Sequence, residues 1–193
     1  MNTLWYVARG AGLSALIVLT AATTMGALGS LKTANPANRV VVQYLHRTSA
    51  VLGLLLIATH VTTIVADQRS HLGVRAVLVP FASSYRPGSV AMGTFAAYTV
   101  VLVSLLGLVR GRLAASARGA ATWRSLHALA YLGWGLAVLH GINAGTDRSQ
   151  RWMLLITLVC IASVVVGLGG RLLAGAEDRG APVPAGQPTG PRR

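Results

Sequence analysis

The chain is a succession of apolar stretches separated by short polar connections that carry arginine. Five stretches, 5–29, 40–66, 90–109, 123–144 and 152–173, match the roughly 20 residues an α-helix needs to cross a hydrocarbon layer about 30 Å thick. Backbone groups in lipid have no water to bond to, so each stretch is expected to close its own hydrogen bonds as a helix. The fold expected is all-α, a polytopic transmembrane bundle of five spans. The first stretch lacks the basic start of a signal peptide and is long for its apolar segment, so it reads as a retained helix. Beyond residue 173, Gly, Pro, Ala and charged residues take over. Residues 1–173 are therefore expected to form one membrane domain, and 174–193 a disordered tail.

Composition sharpens this picture. Of 193 residues, 53% are hydrophobic and only 11% charged, against about 25% charged in a soluble domain. The formal charge of +13 would suggest nucleic acid in a soluble protein. Here the arginines flank apolar runs, so they read as determinants of topology and as contacts to lipid headgroups, with no nucleic acid involved. Lys32, Arg39, Arg47, Arg110, Arg112, Arg118, Arg124, Arg171, Arg179, Arg192 and Arg193 fall on one side of the bundle, and Arg9, Arg69, Arg75, Arg86, Arg148 and Arg151 on the other. The richer side is expected to be cytoplasmic, which puts the N-terminus outside, the C-terminus inside and the 67–89 connection outside, as in a multi-pass protein of the cell (plasma) membrane. Cys160 is the single cysteine, so no internal disulfide, CxxCH haem attachment or thiolate zinc site is available, and it reads as a packing residue.

Histidine is costly within a span, so each intramembrane histidine is a functional candidate. Of five histidines, four lie in two spans: His46 and His60 in the second, His127 and His140 in the fourth. One span intervenes, so the two run parallel, and His46 can oppose His127 while His60 opposes His140. Separations of 14 and 13 residues correspond to roughly 21 and 20 Å of helix. Two haems stacked along the membrane normal require this arrangement, since an imidazole from each side fills both axial positions of the iron. At about 100° per residue, His46 lies within about 40° of His60, whereas His127 and His140 diverge by about 140°; local overwinding or a kink, for which Gly133 and Gly135 offer a place, would reconcile them. No acidic residue accompanies these histidines in the spans, which argues against a proton relay. His71, in the 67–89 connection, reads as a surface residue.

Arg47 follows His46, and Arg124 lies one turn before His127, so both could reach the propionates of an inner haem or the phosphates of lipids. Gly53, Gly133 and Gly135 could make room for a porphyrin face or permit close helix packing. Trp123, Tyr131 and Trp134 read as interface or packing residues as readily as redox-linked ones.

These residues resemble the ferric-reductase-like transmembrane domain family, which includes the membrane parts of ferric reductases and NADPH oxidases and the haem-binding subunit of periplasmic methionine-sulfoxide reductase. The likeness rests on His46-x13-His60, His127-x12-His140, VPFASSYRP before the third span and TWRSLHALAYLGWGLAVLHG in the fourth, and covers roughly residues 5–173. It implies two haem b groups, held by His46 with His127 and by His60 with His140, and electron transfer to an extracytoplasmic acceptor. Two departures stand out: family members often have six spans, and no flavin or nicotinamide domain follows the last helix. The donor is then expected to be a separate flavoprotein, docking on the basic 110–124 loop, or a membrane quinol. The alternatives are a haem-binding anchor of a periplasmic oxidoreductase such as methionine-sulfoxide reductase, and a non-redox protein that binds haem or scaffolds partners.

Overall fold

The computed structural model describes residues 3–29 and 35–180. In chain order its helices are α1 (Thr3–Leu28), α2 (Pro36–Ala66), α3 (Val74–Leu78), α4 (Pro87–Leu108), α5 (Arg110–Leu113), α6 (Ala117–His127), α7 (Leu129–Ala144) and α8 (Arg151–Gly180), with a 3₁₀ turn at Gln68–Ser70. Among the described residues there is no strand. Five helices are long and apolar enough to cross a membrane, α6 and α7 counting as one.

Where the helices begin is set by capping chemistry that hydropathy does not register. The Asn35 side chain accepts from the Ala37 N–H at 3.1 Å, and Pro36 opens α2 with its preset φ. Pro87 opens α4 in the same way, and Ser116 caps α6 by accepting from the Gly119 N–H at 3.1 Å. At the other end of the chain, the last helix does not stop at residue 173, where the tail was expected to begin. It continues to Gly180, since no proline intervenes before Pro182. The remainder of the expected tail, 181–193, lies outside the described residues.

The bundle is organised around α1. This helix buries Ala8, Ala11, Ala15, Ala22 and Ala27, and such small residues let backbones approach closely where lipid removes the hydrophobic drive. α1 packs along α2 and α8 and also meets α7, while α4 runs against α7. α2 and α7, which carry three of the four intramembrane histidines, make no extended backbone contact with each other. A small core of Leu16, Val138 and Cys160 joins α1, α7 and α8, with Trp134 and Ile161 packed against it. Cys160 is buried there, as its packing role requires. Trp134 Nε1 donates to Thr20 Oγ1 at 2.9 Å, and that hydroxyl donates to Leu16 O at 2.7 Å, so the indole N–H is satisfied inside the bundle.

The 67–89 connection is more ordered than its composition suggests. Asp67 accepts from the Arg69 N–H, and Ser70 Oγ donates to Ile64 O at 2.8 Å, turning the chain back on itself. α3 then lies against α4, where Thr94 Oγ1 donates to Val77 O at 2.7 Å and Tyr98 OH to Leu78 O. The end of this connection is tied to the C-terminal turn of α7: Tyr85 OH donates to Ala144 O and Arg86 Nη1 to Asn143 O. An ion pair between Arg9 and Asp147 fastens α1 to the α7–α8 connection. His71 is exposed, in a left-handed conformation (φ 54°) after the 3₁₀ turn.

Candidate functional site

The four intramembrane histidines come together as two pairs. The rings of His46 and His127 lie 6.2 Å apart between centroids with planes crossing at 69°, and those of His60 and His140 lie 6.3 Å apart at 80°. All four side chains are half-buried. α2 is continuous between its two histidines, so the pairs are separated along the helix axis by roughly 21 Å.

Each ring is aimed by a neighbouring backbone. His46 Nδ1 donates to Ala22 O at 2.8 Å, His60 Nδ1 to Ala8 O at 2.7 Å and His140 Nδ1 to Ser89 O at 2.7 Å. A carbonyl can only accept, so the proton sits on Nδ1 and the Nε2 lone pair stays free. Anchoring the remote ring nitrogen on a carbonyl is the usual support of a metal-ligating histidine. His127 is the exception: its buried Nδ1 makes no hydrogen bond, with the Val103 carbonyl as its backbone neighbour.

One backbone pattern underlies the three anchored rings and recurs at the fourth. The carbonyls of Ala8, Ala22, Ser89 and Val103 are each followed four residues later by glycine: Gly12, Gly26, Gly93 and Gly107. In a helix the side chain at position n+4 leans toward the N-terminus and over the carbonyl of residue n. Glycine there uncovers the carbonyl and leaves room for an imidazole. A Cβ built on Gly93 would stand 2.7 Å from His140 Nδ1, and one on Gly12 2.8 Å from His60 Nδ1. On Gly26 it would stand 3.2 Å from His46 Cε1, and on Gly107 3.9 Å from His127 Cε1.

The looser fit at Gly107 follows from register. On α1 the two carbonyls are 14 residues apart, matching the 14 between His46 and His60. On α4 they are also 14 apart, but His127 and His140 are separated by 13. The missing residue corresponds to about 1.5 Å of rise and 100° of rotation. The chain absorbs it by breaking the helix at Ala128, between α6 and α7, where Tyr131 N donates to Ala128 O in a tighter three-residue turn. The adjustment expected at Gly133 or Gly135 therefore lies immediately after His127 instead, as a tightened turn. Across this turn both rings still face α2, His127 beside His46 and His140 beside His60.

The glycines singled out in the sequence serve other contacts. Gly53 lies under Leu19 of α1, with only 2.6 Å between its would-be Cβ and Leu19 Cδ2, and Gly133 packs on Thr99 of α4. Both are helix-packing positions and neither backs a histidine. Gly135 faces open space. Arg47 and Arg124 are both exposed. Arg110 reaches toward the His46–His127 pair, its guanidinium lying 5.0 Å over the Trp123 ring. Trp123 in turn stacks on His127 at 4.9 Å and 16°, its Nε1 donating to Leu106 O at 3.0 Å. Neither the glycine–carbonyl positions nor the Arg110–Trp123–His127 stack was singled out in the sequence, although Gly12-x13-Gly26 and Gly93-x13-Gly107 repeat the histidine spacing there.

A metal ion bridging two imidazoles at about 2 Å from each nitrogen sets the ring centroids roughly 6 Å apart, which both pairs satisfy. Among the described residues no group of three or more His, Cys, Asp or Glu side chains converges. Each pair thus offers two imidazoles, the number a porphyrin iron leaves for the protein to supply. Two opposed, pre-aimed neutral imidazoles between helices that stand apart fit haem. No protein-family model, curated protein or solved structure matches the chain.

Proposed function

We propose that this chain is a b-type di-haem membrane cytochrome subunit, ferric-reductase-like, that carries electrons from a cytoplasmic or quinol donor to an extracytoplasmic acceptor. One observation carries the reading: two histidine pairs on facing helices, at matching 6.2 and 6.3 Å separations, with three of four rings anchored through Nδ1 on backbone carbonyls. In this reading His46 and His127 hold the inner haem and His60 and His140 the outer one, with the N-terminus outside and the C-terminus in the cytoplasm. When bound, haem would supply one-electron chemistry at each pair. The protein holds the imidazoles neutral and fixed, so little reorganisation accompanies that chemistry. With a histidine from each helix available to such a group, electron transfer would be favoured over oxygen binding. The exposed arginines 110, 112, 118 and 124 offer a basic face to an acidic donor protein; Arg47 and Arg124 remain the candidates for propionate contact, with Arg110 added by its position over Trp123.

The test is electron transfer across sealed proteoliposomes, from an enclosed reductant to an external impermeant ferric chelate. The intact protein is expected to reduce the chelate, and the double variant His60→Ala/His140→Ala to lose that activity. Unchanged transfer in the double variant would remove the conduit reading and leave a non-redox role.

A further inference from the structure

α7 and α8 lean on α1 rather than on each other. Between them runs an apolar groove of about 420 Å³, lined by Tyr131, Leu132, Gly135, Leu136 and Leu139 of α7 and Ile161 of α8. No atom stands within 4 Å of where a Gly135 Cβ would be, so the groove is open along its middle. At one end, Arg171 Nη1 donates to Tyr131 OH at 3.3 Å, both side chains being half-buried.

The depth of that arginine follows from the helix that carries it. Arg171 lies 20 residues beyond Arg151 on α8, roughly 30 Å of helix and the thickness of the hydrocarbon layer. Residues 152–170 between them carry no charge. The two arginines thus mark opposite faces of one span, and the Arg171 guanidinium sits at the level of lipid phosphates. Among the described side chains the carboxylates are Asp67 and Asp147, and Asp147 pairs with Arg9 at the other end of the bundle. Arg171 meets a neutral phenol instead, and a planar, permanently charged guanidinium beside a hydroxyl donor is well matched to a phosphate diester.

We propose that this end of the α7–α8 groove binds an anionic phospholipid, with its phosphate on Arg171 and Tyr131 and one acyl chain along Leu132, Leu136, Leu139 and Ile161. Charge and groove act together: the cation selects the headgroup, and the apolar wall distinguishes a lipid from free phosphate. The site is independent of the histidine pairs.

Native mass spectrometry of the full chain in detergent, titrated in turn with phosphatidylglycerol, phosphatidylcholine of the same chain length and inorganic phosphate, tests this. One phosphatidylglycerol is expected to bind about fivefold more tightly than phosphatidylcholine, the preference one basic contact gives at an anionic surface, with no retention of phosphate. R171Q should bring the two lipids level, R171K should keep part of the preference, and Gly135→Leu, which fills the groove, should weaken both. Wild-type protein that binds both lipids equally, R171Q that keeps the preference, or phosphate retained without a lipid chain would each overturn the assignment. Should R171Q fail to fold, R171K and Gly135→Leu carry the same decision.

Discussion

Gly93 and Gly107 occupy equivalent places on α4, one behind each histidine of the fourth span, yet alanine should affect them in opposite directions. At Gly93 the added methyl would stand 2.7 Å from His140 Nδ1 and 2.8 Å from Cε1. No van der Waals contact is that short, so the ring must move off the Ser89 carbonyl that it reaches at 2.7 Å. Overpacking of this kind costs about 1–3 kcal/mol, and the abandoned hydrogen bond about 1 kcal/mol more. Alanine's better helix propensity returns up to about 1 kcal/mol, so the net effect is a loss of roughly 1–3 kcal/mol. At Gly107 the methyl would rest 3.9 Å from His127 Cε1, an ordinary contact. There the propensity gain stands almost alone, and the variant should be neutral or up to about 1 kcal/mol more stable. Unfolding of the two purified variants in detergent, followed by circular dichroism with haem content measured in parallel, reads both quantities. Gly93→Ala should unfold earlier and lose the outer haem in preference to the inner, while Gly107→Ala retains both. Equal behaviour of the two variants, or a greater loss at Gly107, would refute the glycine–carbonyl account of how the rings are aimed.

Other outcomes follow from the same geometry. The single variants His60→Ala and His46→Ala should each lower haem content from about two to about one per chain, measured by pyridine haemochrome; a variant retaining both haems would contradict the pairing. Because the imidazole planes cross at 69° and 80°, the oxidised protein should give strongly anisotropic low-spin ferric signals in electron paramagnetic resonance. The rhombic signal of parallel rings would count against these orientations. Trp134→Phe removes the hydrogen bond to Thr20 and should cost about 1 kcal/mol, seen as a lower midpoint in detergent unfolding with haem content unchanged. Asp147→Asn breaks the ion pair with Arg9, whose side chains are 31% and 23% exposed; screening by solvent and salt keeps the expected cost below about 1 kcal/mol, and it should vanish at high salt.

The five spans were legible because lipid imposes one rule on every residue they contain, and a run of apolar side chains is sufficient to display it. Their ends were less so. α2 and α4 begin at Pro36 and Pro87, ahead of the apolar runs, because caps and prolines set helix starts and hydropathy does not weigh them. The histidine pairing could be read from spacing and parallel direction alone. What aims the rings could not, because a glycine's role depends on what stands opposite it. Gly53 and Gly133 accommodate Leu19 and Thr99, while Gly12 and Gly93 accommodate imidazoles, and nothing local separates the two kinds. The doubled 14-residue glycine spacing was the available signal. The 13-residue spacing of His127 and His140 called for overwinding or a kink, and glycine propensity pointed to Gly133 and Gly135, whereas the tightened turn lies at Ala128. Arg47 and Arg124 stand out by adjacency in sequence; the side chain laid over the Trp123–His127 stack is Arg110, which belongs to a different helix.

The most direct test of the central claim is the haem-to-polypeptide ratio of the detergent-purified chain, expressed with ample haem, together with its dithionite-reduced minus oxidised spectrum. Two paired-imidazole sites predict about two low-spin, reducible b-type haems per chain. A chain that folds and carries no haem would contradict the account.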